Sequence, residues 1–112
     1  MDIGGQDITI EHSDKDALGA VSELIFKVWP NAVIELGLAD DEEIFLYENR
    51  EAADSWEEFG RTEENDDQMI WIVFEPGQMH CVLKEGQSRS LKIIEKIGRA
   101  VNGTLHYYNG EK

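Results

Sequence analysis

The sequence Met69-Ile70-Trp71-Ile72-Val73-Phe74 runs into Glu75-Pro76-Gly77-Gln78 and then into Met79-His80-Cys81-Val82-Leu83-Lys84. The first six residues are apolar throughout and rich in β-branched side chains, which marks a strand. The next four put Pro before Gly, as a type II turn requires, because Gly takes the positive φ at its third position. The last six return as the other arm of a hairpin. Met69 to Phe74 is apolar at successive positions and therefore on both faces of its strand, and so is Ile44-Phe45-Leu46-Tyr47. An antiparallel sheet commonly has one wet face, so a cover for the second face is expected. The candidates are the last helix, or a second copy of the chain meeting it as a dimer through Phe45, Tyr47 and Trp71.

Working outward, Asp7 to His12 alternates, with Ile8 and Ile10 on one face, and reads as a strand. Ser13-Asp14-Lys15-Asp16 resembles a capping box, so a helix is expected from Ser13 onward. Its stripe is Ala17, Ala20, Val21, Leu24, Ile25 and Val28, and Pro30 stops it. Short strands follow at Ala32 to Leu36 and Glu43 to Glu48, with a turn over Gly37 to Asp41. Asn49 is placed to cap a helix whose inner stripe is Ala52, Ala53, Trp56 and Phe59, and Gly60 suits its end. Thr62 to Asp67 is a polar loop. Beyond the hairpin, Ser88 or Ser90 caps a helix with Leu91, Ile94, Ile97 and Val101 inward, which Asn102-Gly103 ends. Thr104 to Tyr108 is the last strand.

The expected order is β-α-β-β-α-β-β-α-β. Its first six elements match a ferredoxin-like split arrangement, and the rest form a C-terminal hairpin-helix-strand extension. The fold expected is a single two-layer α+β domain over residues 1–112, with a mostly antiparallel sheet and two helices on one face. Such a fold hosts many functions and identifies none.

The chain has 112 residues, of which 41% are hydrophobic and 9% aromatic, enough for one core without staples. Its one cysteine, Cys81, allows no internal disulfide, which points to a reducing compartment. The opening residues contain no basic stretch followed by an apolar one, so no secretory signal is expected and a cytoplasmic setting is.

With 24 acidic residues against 10 basic, the net charge is −14. That sign disfavours nucleic acid and anionic membranes and favours basic proteins or cations. Asp40 to Asp67 holds 13 acidic residues against Arg50 and Arg61, a net of −11, whereas Lys84 to Arg99 has a balance of +3. The molecule is therefore expected to be electrically polarised.

Within the acidic stretch, Glu51, Asp54 and Glu58 fall on one outer helix face, flanked by Glu57. Like charges at such spacings cost about 0.2–0.5 kcal/mol per pair, so stability does not account for them. They fit either a docking face for a basic partner or a solvated face that keeps a small protein soluble. Glu51, near the helix N-terminus, also favours the helix dipole. Glu63-Glu64-Asn65-Asp66-Asp67 is rich in oxygen ligands but lacks the alternating spacing of a calcium loop, so no dedicated metal site is expected. His12, His80 and His106 show no zinc spacing. His80 and Cys81 are adjacent on a strand and point to opposite faces, and Cys81 reads as a core residue. No glycine-rich phosphate loop or nucleophile elbow is present, and no cofactor is expected.

These features lead to the expectation of a non-enzymatic binding domain. Its docking residues are Glu48, Glu51, Asp54, Glu57, Glu58, Glu63, Glu64, Asp66 and Asp67, and its partner is a basic protein. Small acidic inhibitors and immunity proteins that mask the basic active site of a nuclease toxin offer an analogy of charge and size only. Two other classes stand beside it. One is a small hydrolase or isomerase using Glu11 or His12 beside His80 or His106. The other is a ligand-free homodimeric module.

Overall fold

The computed structural model describes residues 5–37, 43–60, 62–84 and 88–109. The expected turn beyond Gly37, the acidic residues Asp40, Asp41 and Glu42, and Arg61 lie outside them, as do the side chains of Asp66, Ser88 and Ser90. The elements are β1 (Gly5–Glu11), α1 (Ala17–Val28), β2 (Val33–Leu36), β3 (Glu43–Tyr47), α2 (Arg50–Phe59), a 3₁₀ turn (Asp66–Gln68), β4 (Met69–Glu75), β5 (Gln78–Lys84), α3 (Ser88–Ala100) and β6 (Thr104–Asn109).

The six strands form one antiparallel sheet in the order β2-β3-β4-β5-β1-β6. Chain direction alternates across it, so β1 is parallel to β2 and β5 is parallel to β6. Both parallel pairs are joined by helices. α1 carries the chain from β1 past three strands to β2, and α3 carries it from β5 past β1 to β6. A half-turn about the sheet normal relates the two crossovers, so a common hand puts both helices on one face. They share a core there. Val21 and Ile25 of α1 and Ile94 and Ile97 of α3 pack over Ile8, Ile10, Ile44, Leu46, Ile70, Ile72, Met79 and Cys81.

This order corrects the ferredoxin-like expectation. That arrangement would pair β1 with β3 and β4. Instead β3 pairs with β4, and β1 lies between β5 and β6. The C-terminal hairpin, helix and strand exist as elements, but they supply both neighbours of β1 and so complete the sheet rather than extend it. The helix placement is also corrected. α1 and α3 share the first face, while α2 covers part of the second, with Ala52, Ala53 and Trp56 packed on Val33, Phe45, Tyr47 and Met69.

Two local expectations shift for identifiable reasons. The helix expected from Ser13 begins at Ala17, because the Asp14 side chain accepts from the Asp16 N–H (2.8 Å) and holds an extra turn ahead of it. Asp16 is then the cap, accepting from the Gly19 N–H at 3.3 Å. Phe59, expected inside, is 65% exposed. It is the last residue of α2 and lies past the side chains that receive Ala52, Ala53 and Trp56. Other signals hold as expected. Asn49 caps α2 by accepting from the Ala52 N–H at 2.8 Å, and Gly77 has φ +80° in the Pro76-Gly77 turn.

Cys81 is buried, and desolvation pushes its thiol up to about 12 from an ordinary 9.0. The unfolded chain therefore releases this proton first. The contribution to stability is complete below pH 9.0 and is lost as pH rises from 9.0 toward 12. Iodoacetamide at about pH 8 is expected to leave Cys81 unlabelled in the native protein and to label it fully in denaturant. Rapid native labelling would contradict this burial.

Candidate functional site

Cross-strand register builds the second sheet face row by row. One row is Glu35, Phe45, Trp71, Val82, Asp7. The next is Glu43, Val73, His80, Thr9, His106. A third carries Glu75, Gln78, Glu11 and Thr104. α2 lies over the β2–β3 end of this face and leaves the remainder open among the described residues.

The face is acidic. Its strands contribute Asp7, Glu11, Glu35, Glu43 and Glu75, and α2 adds Glu51, Asp54, Glu57 and Glu58, all four exposed. No described strand side chain is a Lys or Arg, and the one on α2, Arg50, pairs with Asp54 one helical turn away at 3.7 Å. Lys15, in the turn ahead of α1, lines a cavity together with Glu75. Lys27, Lys92, Lys96 and Arg99 all lie on α1 and α3, across the sheet. The polarity expected from the sequence thus has an axis: it runs through the sheet, from the doubly helical face to the open one.

The nine residues expected to dock a partner are not one cluster. Glu51, Asp54, Glu57 and Glu58 line α2, and Glu63 and Glu64 are exposed on the following loop. Glu48 is partly buried where β3 ends, its backbone N–H donating to Gln68 O at 2.9 Å, and Asp67 is also partly buried. Asp66 has no described side chain. Of the three aromatics, Tyr47 is 8% exposed under α2. Burial, then Glu35 and Glu57, hold its hydroxyl pKa above the ordinary value. Phe45 and Trp71 remain partly open and stacked, with ring centroids 6.0 Å apart.

The loop is pinned by a residue that looked like one more polar side chain in an acidic run. Asn65 is 2% exposed. Its Oδ1 accepts from the Thr62 N–H (2.8 Å), and its Nδ2 donates to Ser55 Oγ and Gly60 O, each at 2.9 Å. Its backbone oxygen accepts from the Trp56 indole at 2.9 Å. The sequence signal was there in Thr62-x-x-Asn65, whose partners bond reciprocally, Thr62 Oγ1 accepting from the Asn65 N–H at 3.2 Å. The face's strand acids carried a signal too. Asp7, Thr9 and Glu11 alternate with Ile8 and Ile10.

The histidines divide between two places. His80 and His106 flank Thr9 on the open face. Thr9 Oγ1 lies 3.0 Å from His80 Nδ1, His80 Nε2 lies 3.2 Å from Glu75 Oε1, and His106 Nε2 lies 2.9 Å from Glu11 Oε1. Bonds from Gln78 and His80 hold the Glu75 carboxyl below its usual range. His12 lies past the end of β1, beside the β4–β5 turn. It lines a cavity of about 430 Å³ with Asp14, Phe74, Pro76 and Gly77. The carboxylate–histidine pairs are therefore formed on an open surface; of their four members Glu75 also lines that cavity, and His80, His106 and Glu11 do not. No group of three His, Cys, Asp or Glu residues among those described is arranged to hold a metal ion, and no described helix is long and apolar enough to cross a membrane.

No protein-family model matches the chain, and no curated protein matches it in sequence.

Replacing Asn65 by Ala leaves the Thr62 N–H, Ser55 Oγ and Gly60 O without their partner. It is expected to destabilise the protein by about 2 kcal/mol in chemical denaturation and to speed amide exchange at Thr62. A loss under about 0.5 kcal/mol would mean that water replaces the side chain and that Asn65 does not pin the loop.

Proposed function

We propose that this protein is a non-enzymatic binding domain that holds a basic protein against its acidic sheet face and α2, in the manner of a small inhibitor covering a cationic surface. The observation that carries this reading is the separation of charge across the sheet. Nine described carboxylates lie on one side, from Asp7, Glu11, Glu35, Glu43 and Glu75 on the strands to Glu51, Asp54, Glu57 and Glu58 on the helix, with one paired arginine among them. Such a face steers a cationic partner and rejects an anionic one.

Two further features support a docking role over solubility alone. Phe59 stands 65% exposed at the end of the acidic helix, where a solubilising surface gains nothing from a large apolar ring. The Asn65 side chain ties the loop that carries Glu63 and Glu64 to α2 through Thr62 N–H, Gly60 O and Ser55 Oγ, which presents those charges on a fixed backbone. The reading places the protein in the cytoplasm, where the lone thiol of Cys81 needs no partner. The enzymatic alternative has less support, because His80–Glu75 and His106–Glu11 lie on an open surface, where water keeps the dielectric high and proton transfer gains little.

The test is capture from the protein's own cell lysate at low salt, with Glu51→Lys/Asp54→Lys/Glu58→Lys as the control. A single basic protein recovered at about one-to-one stoichiometry and absent from the control is expected. Its association rate should fall steeply between about 0.05 and 0.5 M salt, as the screening length drops. A triple variant that folds and binds like the parent removes α2 from the site.

A further inference from the structure

An aromatic pair lies on the acidic face where the part under α2 meets the open part, Phe45 on the α2 side and Trp71 on the strand beyond it. Phe45 and Trp71 are opposite one another on β3 and β4, with ring planes 19° from parallel. The Trp71 indole N–H donates to Glu43 Oε2 at 2.7 Å. That bond satisfies the ring's one polar atom and also fixes a carboxylate at its rim. Glu35 lies opposite Phe45 on β2, and Asp7 lies opposite Val82, the residue paired with Trp71 on its far side. No described lysine or arginine side chain on the sheet neutralises these three carboxylates.

Lysine and arginine differ in how they meet such a surface. An ammonium is compact and strongly hydrated. A guanidinium is planar and weakly hydrated, stacks on aromatic rings and bonds carboxylates within its plane. An apolar pair with a carboxylate fixed at its rim suits the second. We propose that Phe45, Trp71 and Glu43 form a subsite for an arginine side chain of the basic partner, with Glu35 and Asp7 supplying the field around it. The subsite rests on the acidic-face reading and adds a chemical preference that net charge cannot supply. A second copy of this chain is the wrong occupant, since it brings the same carboxylates to the same place.

The experiment compares hexa-arginine with hexa-lysine, peptides of equal charge, by calorimetric titration of the full chain at low salt. It is repeated with Glu43→Gln and with Trp71→Leu. Glu43→Gln keeps an oxygen to accept the indole proton and removes only the charge, so its outcome stands even if Trp71→Leu fails to fold. The expected result is an arginine preference of about tenfold in the parent. In Glu43→Gln it should shrink to within about threefold, with lysine-peptide affinity little changed because that binding is long-range charge. Equal affinities in the parent, or a preference that survives Glu43→Gln, overturn the subsite and leave the acidic-face reading standing. If neither peptide binds, or if Glu51→Lys/Asp54→Lys/Glu58→Lys binds both as the parent does, the acidic-face reading fails and the subsite goes with it.

Discussion

The arrangement depends on where β1 goes. This strand pairs on one side with residues 78–84 and on the other with residues 104–109, so the start of the chain is the seam that joins β5 to β6. With β1 in that slot, β5 and β6 are parallel and separated by a strand. The chain between them must cross over, and α3 is that crossover. The route from β1 to the far edge must cross as well, and α1 is that one. A shared hand places both on one face, which becomes a closed apolar layer with Ile8, Ile44, Ile70 and Ile94 fully buried. α2 joins β3 to β4, which are adjacent and antiparallel, so no crossover rule binds it. It is the helix left to cover the other face, and with ten residues it covers one end.

The elements were legible in the sequence because their signals are local. Pro76-Gly77 sets a turn by φ preference, and Asn49 caps a helix by reaching an N–H three residues on. The apolar run Met69 to Phe74 is a strand under any topology. Strand order was not legible, because Ile8 and Ile10 need an apolar layer above them and two neighbours beside them, and several strands offer both. The ferredoxin-like pattern shares its first six elements with this fold, and pairing alone separates the two. Asp14 displaced a helix start by competing for the Asp16 N–H, and a capping-box pattern read without coordinates does not reveal that competition.

The candidate site was legible in pieces. The acids of α2 are exposed as their spacing implies, and Phe45 and Trp71 do meet on a sheet face that helices leave partly open. What the sequence hid is that these are one surface. Glu51 and Trp71 belong to different elements, and only the register Phe45↔Trp71 together with the packing of Ala52 and Ala53 puts them on the same side. The small side chains matter here. Two alanines at the contact let a strongly charged helix lie against the strands without burying any carboxylate, so the charge stays on the surface at little desolvation cost.

The same polarity bears on self-association. Two copies meeting face to face through Phe45 and Trp71 would bring nine carboxylates against nine, at separations shorter than the screening length of about 8 Å. A head-to-tail contact, with α1 and α3 of one copy on the acidic face of the next, escapes that repulsion but does not close on itself and propagates into filaments. The basic side opposes it too, because Glu23 and Glu95 interrupt Lys27, Lys92, Lys96 and Arg99, while every added copy brings another −14. On the proposed reading, the charge that draws a basic partner also keeps an open sheet face with half-buried aromatics from pairing with itself. This is why so large a net charge is compatible with leaving that face uncovered.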